Sequence, residues 1–193
     1  LWLLQECQRS FARNGQPIDY DTLLANIDAV PPFAALIDPD DPRFLSPQDM
    51  PEAINAYLQE HRQAPLADPA AFARCIMESL VLRYREVFQQ ISRLTGTVIN
   101  VVHVLGGGAR NALLNQWLAD ALDVTVIAGP FEATAQGNAL MQLAGLGELH
   151  TLEDVRAIAQ HAPIRTFSPH SAHYGAWNEA GQHLSALASS RIY

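Results

Sequence analysis

The segment that decides the fold is residues 98–111, which read VINVVHVLGGGARN. Its first half is rich in β-branched residues and is apolar at both alternating positions, with two polar exceptions. That pattern predicts a strand covered on both faces. The strand is followed by Gly106, Gly107 and Gly108, and a helical pattern begins at Asn111. A strand, a glycine turn and a helix in this order are typical of an α/β fold.

The glycine turn has the properties of an anion-binding corner. The amide groups at the start of the following helix, together with the helix dipole, favour a phosphate. Glycines let a ligand approach the backbone closely, although a tight turn with close helix–strand packing is an alternative explanation. No Gly-Lys-Ser/Thr follows, so the turn is not a Walker A loop. Asn111 is suited to a purine edge or a ribose, with simple helix capping as the alternative.

A second corner follows the second predicted strand, residues 123–127. Residues 128–139 read AGPFEATAQGNA and lead into another helix. Strands in such units pair in parallel, so both corners are expected at the same edge of the sheet. We expect Glu132 to cap this helix or to lie behind a ligand, and Gly137 to mark a close packing contact. A structural role is favoured over ligand binding for residues 128–139.

The rest of the chain reads mostly as helices. Apolar residues at intervals of three and four predict helices over 1–13, 21–29 (capped by Asp21), 49–61, 68–94, 111–122, 133–146, 152–160 and from about 170 to 189. The longest, 68–94, is expected to bury one continuous apolar face. We divide the chain into helices with a Pro/Asp-rich loop (1–66), an α-β-α-β-α nucleotide-binding core (67–150) and C-terminal helices (151–193).

Only two strands are convincing, and two parallel strands alone do not make a stable sheet. Leu1 already belongs to an apolar helical face and no capping residue precedes it. These two observations predict a domain that is incomplete at its N-terminus, with further strands upstream in a longer protein.

Two polar clusters and one histidine are alternatives to the glycine turn as functional sites. The aspartates in 38–41 lack the glycine and the distal Glu of a calcium loop, so we expect a solvated loop. His170 and His173 are three residues apart, but the sequence offers no third ligand, which favours a surface pair and no metal site. His103 lies in a strand of buried character and is expected to be a core histidine.

Composition narrows the functional classes. Asp and Glu outnumber Lys and Arg by 20 to 12, for a formal charge of −8, which argues against broad nucleic-acid binding. Cys7 and Cys75 lie in apolar helical runs and are expected to be buried thiols in a reducing compartment. No run approaches the ~20 apolar residues that cross a bilayer. We therefore expect a cytoplasmic protein without nucleic-acid or membrane partners.

Several of these segments together resemble the FGGY carbohydrate kinases. The resemblance rests on residues 103–111 and 113–116, then 119–121, 126–130, 132–134, 137–138 and 147–149, with supporting pieces at 1–5, 41–44, 74–76, 79–80 and 166–169. It implies an α/β fold, the C-terminal part of an actin-like (ribonuclease H-like) ATPase domain, helix-rich with a short parallel strand pair. Family members transfer a phosphoryl group from ATP, with Mg²⁺, to a sugar hydroxyl. Residues 129–138 narrow the resemblance to members that convert L-rhamnulose to its 1-phosphate.

The resemblance also implies roles for the turn. Gly107 would lie against the phosphate–ribose region of ATP or ADP, Asn111 would contact the adenine side, and Gly106 and Gly108 would shape the turn. The family's catalytic aspartate and sugar contacts lie upstream of anything matched here, so no catalytic residue is assigned and the chain alone is expected to be inactive. Alternatives are another FGGY sugar kinase (xylulose, fuculose or glycerol type), a non-catalytic nucleotide or sugar-phosphate binding module, and a helical interaction domain.

Overall fold

The computed structural model describes residues 1–189. This part of the chain is a helix-rich α/β fold, as predicted. Its helices are α1 (Trp2–Arg13), α2 (Tyr20–Ala25), α3 (Met50–Glu60), α4 (Pro69–Thr95), α5 (Ala112–Leu122), α6 (Ala133–Gly145), α7 (Leu152–Ala159) and α8 (Tyr174–Ser189). Its strands are β1 (Val101–Val104), β2 (Thr125–Ala128) and β3 (Arg165–Phe167).

The three strands form one mixed sheet in the order β1-β2-β3. β1 and β2 are parallel, with Val101 opposite Thr125 and Val104 opposite Ala128, which confirms the predicted pair. β3 runs antiparallel to β2 and was not predicted. It gives β2 a second neighbour, so β2 is central in the sheet.

The first strand is covered less than its sequence suggests. Val102 is buried, but Val101 and His103 are exposed. The expectation of a strand buried on both faces was therefore wrong, and so was that of a core histidine. β1 lies at the edge of the described sheet, and one of its faces has no cover from the described residues.

Helix starts follow the capping chemistry of the sequence. Asp49 accepts a hydrogen bond from the Glu52 amide at the start of α3, and Thr151 forms a reciprocal capping box with Asp154 at the start of α7. The cap of α2 was misassigned: Asp19, not Asp21, accepts the bond from the Thr22 amide.

The chain separates into two compact units. The first comprises Leu1–Ile91 and the described part of Gly175–Tyr193; the second is Ser92–Tyr174. The first unit is all-helical apart from loops and 3₁₀ turns. Its core includes buried side chains from α1, α3 and α4, among them Leu4, Ile54 and Ile76. The three-part division proposed from the sequence remains a prediction.

The apolar face of α4 is buried over only part of its length. Phe72 and Ile76 are buried, but Tyr84, Val87 and Ile91 are each about two-fifths exposed, between 39% and 42%. The expectation of a continuous core face was wrong beyond the first turns. Helical spacing identifies an amphipathic face, but it does not say what covers that face.

A largely buried ion pair on α4 holds the chain between α2 and α3 in the first unit. Arg74 Nε donates to Glu78 Oε1 at 2.7 Å, and the second oxygen of Glu78 accepts from the Phe33 amide at 2.8 Å. Arg74 also donates to the Ile27 and Val30 carbonyls. The pair therefore fixes the chain between α2 and α3 with its polar groups satisfied.

The aspartates of 38–41 cap turns and form ion pairs, and the loop is less solvated than expected. Asp38 is buried and accepts from the Asp40 amide. Asp40 pairs with Arg83 at 2.6 Å, and Asp41 caps the 3₁₀ turn Pro42–Phe44.

The two cysteines are buried and free, in agreement with the sequence. Burial, reinforced by the nearby carboxylates of Asp49 and Glu6, raises the pKa of Cys7 to about 12. Burial likewise raises the pKa of Cys75. Neither thiol is therefore activated as a nucleophile at neutral pH. Among the described helices, none combines the length and the apolar character that a bilayer crossing requires.

Candidate functional site

The two corners predicted from the sequence meet at one edge of the sheet. The 3₁₀ turn Gly106–Arg110 follows β1, and Gly129-Pro130 follows β2. The Gly106 amide donates to the Pro130 carbonyl at 3.2 Å, and the Gly129 amide donates to the Val104 carbonyl at 2.8 Å. The expectation that both corners lie together is confirmed.

Of the three glycines of the turn, Gly106 alone has a structural reason to be glycine. Gly106 has φ +74°, a conformation that side chains with a Cβ rarely adopt. A Cβ at Gly108 would make an ordinary contact with Val104 Cγ1 at 3.7 Å. Gly107 has no positive φ, and a Cβ built there would have no heavy atom within 4 Å. Close packing therefore does not explain Gly107, which borders open space.

Asn111 caps α5. Its side-chain Oδ1 accepts from the Leu114 amide at 3.0 Å, and the residue is only 5% exposed. The capping alternative raised from the sequence is therefore observed. A direct contact of Asn111 with a nucleotide remains a prediction.

Asn115 supports the turn and was missed by the sequence reasoning. The residue is buried, and its Nδ2 lies within hydrogen-bonding distance of three carbonyl oxygens: 3.2 Å from Gly108, 3.2 Å from Ala109 and 2.8 Å from Asn111. One amide group thus joins the glycine turn to the first turn of α5. The available signal was a polar residue on the apolar side of a helix, four positions after its cap.

A charged pair spans the two corners. Arg110 donates to Glu132 at 2.6 Å, and its guanidinium lies 5.6 Å from the ring centroid of Phe131. Both charged side chains are exposed, so the pair contributes at most ~1 kcal/mol to stability.

Glu132 occupies the N-cap position of α6 without a side-chain capping bond, so the capping prediction was wrong. Gly137 has nothing within 4 Å of a built Cβ, so the predicted close contact was wrong as well.

Gly129 fixes the second corner by close packing. Its φ is +118°, and a built Cβ would lie 2.6 Å from the Pro163 carbonyl oxygen and 3.2 Å from Ile164 Cα. Both are backbone atoms of the segment that leads into β3. The corner can therefore adopt this geometry only with glycine at position 129.

The corner geometry agrees with a family match over most of the chain. Residues 1–146 match the model of the C-terminal domain of the FGGY family of carbohydrate kinases. This chain belongs to that family. The match includes both corners and ends near the end of α6.

Rhamnulokinases are among the curated relatives that match the chain. A rhamnulokinase of Bacteroides thetaiotaomicron is 38% identical over 185 residues, which cover 95% of this chain and 37% of the relative. A rhamnulokinase of Pectobacterium carotovorum is 40% identical over 171 residues, covering 88% of this chain and 34% of the relative. The chain thus spans little more than a third of the length of the curated relatives it matches.

Solved structures of two sugar kinases share the fold. Xylulose kinase from Rhodospirillum rubrum aligns with a TM-score of 0.63 at 20% identity, over 98% of this chain and 37% of that one. Plasmodium falciparum glycerol kinase with ADP aligns with a TM-score of 0.62 at 13% identity, over 95% of this chain and 36% of that one. At these identities the likeness shows the fold alone, and it supports the α/β class predicted from the sequence.

Proposed function

We propose that this chain is the nucleotide-binding part of an ATP-dependent kinase that phosphorylates L-rhamnulose to L-rhamnulose 1-phosphate. Family membership supports a carbohydrate kinase, and the name shared by the curated relatives supports rhamnulose as the sugar. The chain spans about a third of those relatives, and the family resemblance implies that the sugar site and the catalytic base lie upstream, in the rest of the protein. We place the enzyme in the cytoplasm, as the two free cysteines favour.

The observation that carries the nucleotide assignment is the open position at Gly107. Glycine lowers stability relative to alanine wherever the fold does not need it. At Gly107 neither backbone conformation nor packing needs it, since φ is not positive and a Cβ would have no neighbour. Gly137 and Gly145 are equally open, but Gly107 combines this openness with a place at the sheet edge where ligands of α/β folds gather, so a ligand against the backbone accounts for the glycine there. The resemblance assigns this position to the phosphate–ribose region of ATP.

The described residues at the corners fit ATP better than they fit Mg²⁺. The glycine turn leaves room for a ligand against the backbone, and Asn115 donates hydrogen bonds to the Gly108 and Ala109 carbonyls of that turn. Mg²⁺ prefers carboxylate and phosphate oxygens. Among the carboxylates described beside the turn, Glu132 is already paired with Arg110. The ion would therefore be bound mainly by the phosphates of ATP and by residues elsewhere in the enzyme.

The test is Gly107→Val in the intact enzyme. We expect the KM for ATP to rise at least tenfold, because the added side chain occupies space that the nucleotide needs. The melting temperature should change by little, since nothing lies near the new side chain. Gly145→Val is the matched control: the position is equally open, and it lies at the far end of α6. An unchanged KM for ATP in Gly107→Val would refute the assignment.

Two further measurements separate the alternatives. Titration of the isolated 193-residue chain with a fluorescent ATP analogue tests a stand-alone binding module, and tight binding by the chain alone would favour that module over a kinase part. Comparison of kcat/KM for L-rhamnulose, xylulose, fuculose and glycerol in the intact enzyme tests the sugar. A preference for any sugar other than L-rhamnulose would overturn that element of the proposal.

A further inference from the structure

A buried carboxylate in the second unit faces two imidazoles. Asp120 lies in the last turns of α5 and is 2% exposed. His170 and His173 come from the segment between β3 and α8, 50 and 53 residues further along the chain. His170 Nδ1 lies 3.2 Å from Asp120 Oδ1, and His173 Nδ1 lies 3.0 Å from Oδ2. The structure thus supplies the third ligand that the sequence did not reveal.

We propose that Asp120, His170 and His173 bind one Zn²⁺ ion. One donor atom from each residue lies within 4.8 Å of the other two. With ligands about 2.0–2.2 Å from zinc, tetrahedral geometry separates donor atoms by about 3.3 Å. Measured from the same oxygen, Asp120 Oδ2, His170 Nδ1 lies at 3.4 Å and His173 Nδ1 at 3.0 Å, close to that value. The exposed imidazoles, at 59% and 61%, can make the small outward adjustment that is needed.

The donor set selects the class of ion. Two imidazole nitrogens and one carboxylate oxygen suit Zn²⁺ and its neighbours Co²⁺ and Ni²⁺, whereas Mg²⁺ and Ca²⁺ prefer oxygen alone. The nitrogen of a neutral imidazole is a common zinc ligand. When Nδ1 binds the ion, the proton of the neutral ring resides on Nε2.

The carboxylate is already positioned by other groups. Asp120 Oδ1 accepts from the His170 amide at 2.8 Å and from Gln116 Nε2 at 2.8 Å. Gln116 Nε2 also lies 2.9 Å from the Ser168 carbonyl oxygen. Metal-bound carboxylates are commonly oriented by such outer partners. These bonds to Oδ1 fix the orientation of the carboxylate, and its other oxygen, Oδ2, faces both imidazoles before any ion arrives.

The location indicates a structural role for the ion. Asp120 lies nine residues after Asn111, the cap of α5 next to the glycine turn. This separation corresponds to about 13 Å along the helix axis. Bound Zn²⁺ joins α5 to the segment 168–173 and leaves its fourth position to water. It stabilises the second unit without taking part in phosphoryl transfer.

The test begins with metal-free protein titrated with Co²⁺. We expect one Co²⁺ per chain at this site, with the visible absorption of a tetrahedral site, and displacement by Zn²⁺. Zn²⁺ should also raise the melting temperature. The variant His170→Ala/His173→Ala should bind at least 100-fold more weakly. The variant His150→Ala/His161→Ala removes the same number of exposed imidazoles from the same unit and should bind within twofold of wild type.

Asp120→Asn guards against a folding artefact, because it keeps an acceptor for the His170 amide while it removes the charge. Its binding should weaken at least tenfold, with circular dichroism unchanged. If wild type shows no tetrahedral Co²⁺ spectrum, the cluster is only a hydrogen-bonded contact between α5 and the later segment. Equal binding by wild type and His170→Ala/His173→Ala would place the ion elsewhere. Either result overturns the proposal.

Discussion

Gly129→Ala is expected to destabilise the second unit more than alanine at any of the other glycines of the two corners, Gly106, Gly107 and Gly108. The glycine has φ +118°, and the added Cβ would lie 2.6 Å from one backbone atom and 3.2 Å from another. A flexible side chain could move aside. The backbone at Pro163 and Ile164 can move only if the start of β3 moves with it, and β3 pairs with β2.

The magnitude follows from two costs and one gain. An L-residue in a conformation reserved for glycine costs about 1–3 kcal/mol. Overpacking against the neighbouring backbone costs about 1–3 kcal/mol more. Alanine restricts the unfolded chain more than glycine does, which returns about 0.4–1 kcal/mol. A central net value is about 3 kcal/mol, and with a urea m-value of about 2 kcal/mol/M the midpoint falls by about 1.5 M.

The assay is urea unfolding followed by far-ultraviolet circular dichroism. Hydrogen exchange of the β2 and β3 peptides then localises the loss to the second unit. Gly145→Ala is the control: it has open space around its Cβ and no positive φ, so its midpoint should stay level or rise. A Gly129→Ala midpoint within 0.3 M of wild type, a margin of about 0.6 kcal/mol, would show that the close contact does not constrain the corner.

Three further changes test other parts of the structure. Asn115→Leu removes the donors to three turn carbonyls and should lower the free energy of unfolding by about 2–3 kcal/mol; unaltered urea unfolding would contradict that support. Glu78→Ala removes the carboxylate that pairs with the largely buried Arg74 guanidinium and should cost about 3–5 kcal/mol, read as a large fall in melting temperature. Hydrogen bonds from the His150 and Thr151 backbone amides hold the pKa of Asp154 below its usual 3.8. Its ionised form therefore stabilises the start of α7 above pH 3.8, and this support is lost as the pH falls through the lowered pKa; amide exchange in α7 should show the step in wild type and not in Asp154→Asn.

Helices and the parallel strand pair could be predicted because their signals are local. Caps such as Asp49 and Thr151 mark helix starts, and the β-branched run before the glycine turn marks β1. β3 could not be predicted from a buried pattern, since it has three residues and two of them are exposed. It is a strand only through its pairing with β2. The exposed half of the α4 face shows the same limit: the sequence records an apolar face but not its partner.

The candidate site was predictable in its position and less so in its details. Parallel pairing was enough to place both corners at one edge. The sequence could not show that Gly107 is open while Gly129 is crowded, because both depend on atoms from distant segments. Asp120 escaped notice for the same reason, since its two histidine neighbours come from at least 50 residues away.

The first compact unit is assembled from residues that precede the second unit in the sequence and residues that follow it. This arrangement sets an order for folding during synthesis. At roughly 5–20 residues per second, the 83 residues from 92 to 174 take about 4–17 s to translate. Throughout that interval Phe33 lacks the Trp177 ring that packs 4.8 Å from it, and Arg85 lacks Asn178. The apolar surface of the first unit that Trp177 covers therefore stays exposed until the whole second unit has been translated. A chain truncated just before residue 175 would contain the whole glycine corner but would lack the α8 residues that complete the first unit.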